Sequence, residues 1–245
     1  MKNSSLKISG YLLIALVLGL SLVFSSAVEA LQIRVTDSAT SFSQTINDTN
    51  GDGYINWEGS VGYFNHVSIT AATKTEITTA EVPIIELNCS ANSYGHEISG
   101  TFVNESTLTV EVTEPDFIGG PSIGFNGFNT SLGGSNRDNT VTLSTWFDAA
   151  NGPFVQGTHI ADLQFTGMGG PYSVDKDTVG YPNSSPFSLT MIAMITQDGG
   201  TSGQKATTQL TGKIAPIPEP GTALLLGLGL LGLGIISRKK VEIEG

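Results

Sequence analysis

Between residues 31 and 217 apolar and polar residues alternate in short runs, and each run stops at Gly, Asn, Asp, Ser or Pro. The clearest run is Thr107-Leu108-Thr109-Val110-Glu111-Val112-Thr113. A period of two puts Leu108, Val110 and Val112 on one face of a strand and the threonines and Glu111 on the other. The runs at 31–36, 61–70, 84–88, 97–103, 107–113, 140–147, 159–165, 187–196 and 207–214 are expected as strands on the same ground. No helical period of comparable clarity appears, and no internal repeat of fixed length, which argues against a propeller or β-helix. Many short strands rich in Thr, Val and Ile predict an all-β chain, a β-sandwich with Greek-key or jelly-roll connections. Two stretches, 117–139 and 167–186, are dense in Gly, Asn, Ser and Pro and are expected as long loops. Such loops either carry a binding surface at one end of a sandwich or merely connect strands.

Only 13% of the 245 residues are charged, against about 25% in ordinary domains, so Ser, Thr, Asn and Gly must supply the polar surface. Asp and Glu number 22 against 11 Lys and Arg, a net charge of -11. That balance repels a phosphate backbone and excludes nucleic acid as a partner. Cys89 is the one cysteine, so no intrachain disulfide forms, and a buried, inert thiol is expected there.

The two ends read differently from the middle. Lys2 and Lys7 precede an apolar run over 8–24, followed by small residues up to Ala30. That order is a secretory signal with cleavage expected after Ala30, or else an uncleaved anchor. At the other end Pro218-Glu219-Pro220 leads into an uncharged Gly- and Leu-rich run over 223–236 and then Arg238, Lys239 and Lys240. As a helix this run reaches about 21 Å, short of a hydrocarbon core of about 30 Å. Snorkelling or bilayer thinning must close the gap, and the basic cluster stays cytoplasmic, leaving the rest of the chain outside. The two prolines predict an extended, accessible stretch before the span.

This tail closely resembles the PEP-CTERM sorting signal of Gram-negative bacteria. The resemblance implies recognition and removal of the tail by an exosortase, a membrane-embedded cysteine transpeptidase-like enzyme of organisms that make exopolysaccharide and biofilm. Pro218, Glu219 and Pro220 then correspond to the recognition motif, 223–236 to the transmembrane helix, and Arg238, Lys239 and Lys240 to the stop signal. The tail Val241-Glu242-Ile243-Glu244-Gly245 and the Lys-rich cluster depart from the usual pattern. The implied organisation is a signal peptide (1–30), a β-sandwich ectodomain (31–214), the sorting signal (215–240) and a cytoplasmic tail (241–245).

One constellation in the ectodomain suggests chemistry. Asp48, Asn50 and Asp52 alternate around a turn that Gly51 and Gly53 permit, with Tyr54, Asn56 and Glu58 following. Hard oxygen donors at this spacing form the first part of an EF-hand-like calcium loop. Glu58 falls one residue before the position of the closing carboxylate, which Gly59 occupies. The same residues also suit a plain hairpin turn. Gly120-Pro121-Ser122-Ile123-Gly124 matches a nucleophile elbow by letter but lacks the strand-turn-helix setting that elbow needs. The glycines at 227, 229 and 232 match a dinucleotide fingerprint inside the span, where no βαβ unit can form. His66, His96 and His159 are too scattered for zinc spacing. Trp57, Tyr63, Phe64, Trp146, Tyr172 and Tyr181 either pack a core or include a sugar-stacking platform.

The expectation is an exported, non-enzymatic protein, held in the inner membrane by its tail until an exosortase acts on it. Its β-sandwich then serves at the cell surface or in an exopolysaccharide matrix. A calcium-assisted polysaccharide-binding module and a secreted hydrolase are the alternatives.

Overall fold

Fourteen strands run through the described residues of the computed structural model: β1 (Gln32–Asp37), β2 (Phe42–Asn47), β3 (Tyr54–Val61), β4 (Phe64–Lys74), β5 (Ile84–Tyr94), β6 (His96–Ile98), β7 (Thr101–Val103), β8 (Glu105–Phe117), β9 (Phe125–Asn136), β10 (Asn139–Asp148), β11 (Thr158–Thr166), β12 (Gly170–Val179), β13 (Phe187–Asp198) and β14 (Lys205–Pro218). The structure describes residues 31–74, 83–94, 96–98, 101–103, 105–117, 125–137, 139–166, 170–180, 186–198 and 205–218. The expected signal peptide and transmembrane run lie outside them. Among the described residues no helix is long and apolar enough to cross a membrane.

Two six-stranded antiparallel sheets form the sandwich, in the orders β11-β10-β13-β8-β1-β2 and β12-β9-β14-β5-β4-β3, with β6-β7 as a small separate hairpin. The alternation at 107–113 is realised in β8, where Leu108, Val110 and Val112 are buried against the opposite sheet. Where both neighbours are long strands the pattern is cleanest: β10 alternates buried and half-buried residues for eight positions. Apolar residues on the inner faces remove their surface from water at about 25 cal/mol per Å², and four phenylalanines concentrate this effect at one end. Phe187 lies 4.9 Å from Phe147, 5.8 Å from Phe117 and 6.4 Å from Phe128, ring centre to ring centre.

Both stretches expected as long loops contain strands. β9 lies inside 117–139 and β12 inside 167–186, and the two pair with each other from Gly170↔Asn136 to Val179↔Gly127. Glycine misled the sequence assignment because in β9 it serves close packing. A Cβ on Gly134 would fall 2.0 Å from the Gln209 carbonyl oxygen of β14, at a φ of +147° that suits glycine. The expected strand at 61–70 is broken by a turn, with Gly62 at φ +55° between β3 and β4. The expected strand at 97–103 is the β6-β7 hairpin. β2 and β3 carried no clear alternation and are additional.

The sheets meet at a polar corner between β9 and β10. Asn139 Nδ2 donates to Thr208 Oγ1 at 2.6 Å, Thr208 Oγ1 donates to Asn136 Oδ1 at 2.9 Å, and Asn136 Nδ2 donates to the Asn139 carbonyl. All three residues are buried, so this small network pairs most of the groups that water cannot reach, leaving Asn139 Oδ1 without a hydrogen-bond partner.

Candidate functional site

The C-terminal motif grows directly out of the fold. β14 is a central strand, paired with β5 up to Ile214↔Ile85. On its other side it pairs with β9 through Ile214↔Thr130, Ala215↔Asn129, Pro216↔Phe128 and Pro218↔Phe125, with a register shift between Pro216 and Pro218. Past Ile214, among the described residues, β9 is the one partner. Proline has no N–H to give and is tolerated only at sheet edges and bulges, and Pro216 and Pro218 fall where β14 has lost one neighbour. Up to Pro218 the stretch expected to be extended is strand, and the remainder before the expected span lies outside the described residues. The strand part is sheet-bonded, and β14 continues four residues past the Ile214 boundary read from sequence. Pro218 is the last described residue. Glu219, Pro220, the run at 223–236, Arg238, Lys239 and Lys240 lie outside the described residues.

The Asp48 turn is built by its own backbone. Asp48 Oδ1 accepts the N–H groups of Asn50 at 3.2 Å and Gly51 at 2.9 Å, and Oδ2 accepts that of Gly53 at 2.7 Å. Asn50 Nδ2 donates to Asp52 Oδ2, and Asp52 Oδ1 accepts the Tyr54 N–H, both at 2.9 Å. Gly51 and Gly53 take φ +70° and +71°. The structure therefore brings Asp48, Asn50 and Asp52 together. Tyr54, Asn56 and Glu58 lie along β3 instead, where a rise of about 3.3 Å per residue carries Glu58 about 13 Å beyond Tyr54. Asn56 receives Thr70 Oγ1 at 3.5 Å and Glu58 meets His66 Nδ1 at 3.4 Å. Among the described residues no three His, Cys, Asp or Glu side chains are arranged to hold a metal ion. Asp48, Asn50 and Asp52 are the part of the proposed calcium set that shares one turn.

Next to this turn sits a group the sequence reasoning missed. Glu114 has one carboxylate oxygen buried without a hydrogen-bond partner. Burial, with the charges of Asp48 and Asp116 adding to it, pushes its carboxyl up to about 8. Extending the alternation of Leu108, Val110 and Val112 by one step would have put Glu114 on the core side. Asp116 turns away at φ +62° and is clasped by Asn151: its N–H donates to Asn151 Oδ1 at 2.7 Å and its Oδ1 accepts Asn151 Nδ2 at 2.6 Å. Phe154, in the same connection between β10 and β11, reaches across the sheet to lie 4.4 Å under the guanidinium of Arg34, which is itself paired with Glu111.

The remaining candidates are dispersed. His159 Nε2 lies 2.9 Å from Asp162 and packs edge-on to Trp146; Asp162 is held below the usual carboxylate range by hydrogen bonds from Ser144 and His159. His96 lies in β6, and Ser122 and Tyr181 lie outside the described residues. Phe64 and Tyr172 belong to the core and Trp57 packs against it, so these aromatics form no exposed platform. Cys89 is buried, and burial pushes its thiol up to about 12. The outer face of β4, β5 and β14 carries an open hollow of about 230 Å³ walled by Ser68, Thr70, Asn88, Ser90, Gln209 and Thr211. None of these six is charged. Thr211 Oγ1 donates to Asn88 Oδ1 at 3.0 Å, which orders the amide across the strands.

A two-sheet β-sandwich whose central strand runs into a proline-flanked tail defines the class: an all-β domain joined to a C-terminal sorting signal. The family model of the PEP-CTERM protein-sorting motif matches residues 216–240. The chain carries a PEP-CTERM protein-sorting motif at residues 216–240, and that motif implies export and C-terminal membrane anchoring for sorting. No curated protein matches the chain. Among solved structures, the enzymatically active domain of tailspike protein 4 of bacteriophage CBA120 is similar at 9% identity and a TM-score of 0.32, over 68% of this chain and 20% of the tailspike chain. TmCBM61 in complex with β-1,4-galactotriose is similar at 7% identity and a TM-score of 0.30, over 66% of this chain and 92% of its own. The K1 cleaved adhesin domain of Lys-gingipain from Porphyromonas gingivalis is similar at 10% identity and a TM-score of 0.30, over 76% and 90%. This chain spans about a fifth of the tailspike's length.

Proposed function

We propose that the protein is an exported, non-enzymatic β-sandwich that an exosortase recognises at Pro218-Glu219-Pro220 and processes at its C-terminal tail. The sandwich then acts at the cell surface or in an exopolysaccharide matrix. The observation that carries this reading is the sorting-motif match at 216–240, fused without a spacer to β14. The short apolar run holds the precursor in the inner membrane, the basic cluster keeps its end inside, and the prolines present the motif at the outer surface. Mass spectrometry of the C-terminus from the native host tests it. The wild type is expected to have lost the apolar run and Glu219→Ala to retain it; intact tails in both refute the reading.

The hollow on the outer face of β4, β5 and β14 favours a second role for the same domain, binding of a neutral polysaccharide. Ordered amides and hydroxyls exchange hydrogen bonds with sugar hydroxyls, and an uncharged wall on a protein of net charge -11 suits an uncharged polymer better than an anionic one. Retention of the full chain on purified neutral matrix polysaccharide, weakened in Asn88→Ala and Gln209→Ala, is the expected result. A parallel run with chelator tests whether calcium at the Asp48 turn assists.

A further inference from the structure

The folded domain and the sorting motif overlap. The family match begins at residue 216 while β14 ends at Pro218, so three residues of the signal are also residues of a strand. A cleaving enzyme must enclose its peptide in one defined pose, yet β9 already holds this segment along one edge. The two demands on one backbone conflict, and the build of the strand suggests how the conflict resolves.

Up to Ile214 the strand is locked, because Ile214 is fully buried and paired on both sides. Beyond it the hold weakens at once. Ala215, Pro216 and Ile217 are only half-buried, two of the last three residues cannot donate to a ladder, and the register slips between Pro216 and Pro218. Segments with few buried contacts and one-sided pairing open first. Opening also changes reach. From Pro218 to the apolar run at Ala223 the extended chain spans about 17 Å, whereas from Ile214 it spans about 30 Å. The longer tether leaves room for an enzyme between the sandwich and the lipid.

We propose that residues 215–218, bonded to β9 in the folded protein, must peel from it before the sorting enzyme can engage the motif, so that release of this tip precedes cutting. The proposal rests on the exosortase reading above and adds a fold-dependent step to it.

A cysteine pair tests it in the full-length precursor expressed in the native host. Ala215→Cys with Asn129→Cys joins two residues that face each other across β14 and β9. With the disulfide formed, tail removal is expected to slow at least tenfold, while each single variant and the reduced pair keep the wild-type rate. Processing of the oxidised pair at the wild-type rate overturns the proposal. Independently of the disulfide, eight Gly and Ser residues inserted between Ile217 and Pro218 free the motif from the sheet and are expected to speed processing; a rate no faster than wild type also overturns it. Glu219→Ala run alongside separates this outcome from failure of the sorting reading, which alone predicts that Glu219→Ala retains its tail.

Discussion

Gly212 of β14 faces Met191 of β13 across the sandwich so closely that a Cβ on Gly212 would lie 2.9 Å from the Met191 sulfur and 3.2 Å from a Leu143 methyl. The two sheets use the missing side chain to approach at their centre. Gly212→Val forces that contact apart, and overpacking of this kind costs about 1–3 kcal/mol. Urea denaturation is expected to show a lowered midpoint with an unchanged slope, and Met191→Ala in the same chain is expected to recover part of the loss.

Glu114 makes stability depend on pH in the direction opposite to most carboxylates. Its carboxyl is raised to about 8 from an ordinary 4.5 by burial first, then by Asp48 and Asp116. Between those two values the folded state holds a proton that the unfolded state has released, so stability falls as pH rises from about 4.5 through about 8 and levels off above. Glu114→Gln, which keeps the shape and never ionises, is expected to flatten this slope. Melting temperatures at pH 5 and pH 9 should differ less in the variant, and at pH 9 the variant should be the more stable protein.

Asp48 contributes through backbone donors. Asp48→Ala leaves the N–H groups of Asn50, Gly51 and Gly53 without their acceptor, at a cost of about 1–3 kcal/mol. The loss is expected to appear in full in chelator-containing buffer. Calcium binding at the same turn would add a separate gain in the wild type that Asp52→Ala lacks, and calorimetric titration in the millimolar range tests for it.

Cys89 is expected to resist alkylation. The reactive species is the thiolate, and a thiol pushed up to about 12 inside the sandwich supplies almost none of it at neutral pH. Labelling by iodoacetamide should track global unfolding, rising only near the denaturation midpoint.

These features were legible in the sequence to different degrees. β8, β10 and β13 announced themselves because β-branched and apolar residues on a half-buried strand must alternate. β9 and β12 did not, since their glycines, asparagines and serines look like turn chemistry until the neighbouring backbones are known. Asp48, Asn50 and Asp52 were recognised as a unit because local spacing alone brings them together. Asn56 and Glu58 were grouped with them on spacing too, but pairing of β3 with β4 draws them out along the sheet. For Glu114 a linear reading had only its place in the alternation to go on, since Asp48, whose charge adds to the effect of burial, comes from the distant β2–β3 connection.

β14 is the last strand among the described residues and a middle strand of its sheet. A polypeptide exported from its N-terminus therefore carries two unmatched edges, those of β9 and β5, until its final segment has crossed. On the sorting reading proposed above, β14 would emerge just ahead of the apolar run at 223–236, so the sandwich could close only when almost the whole chain had been exported. On that reading, completing the fold and delivering the sorting signal would coincide.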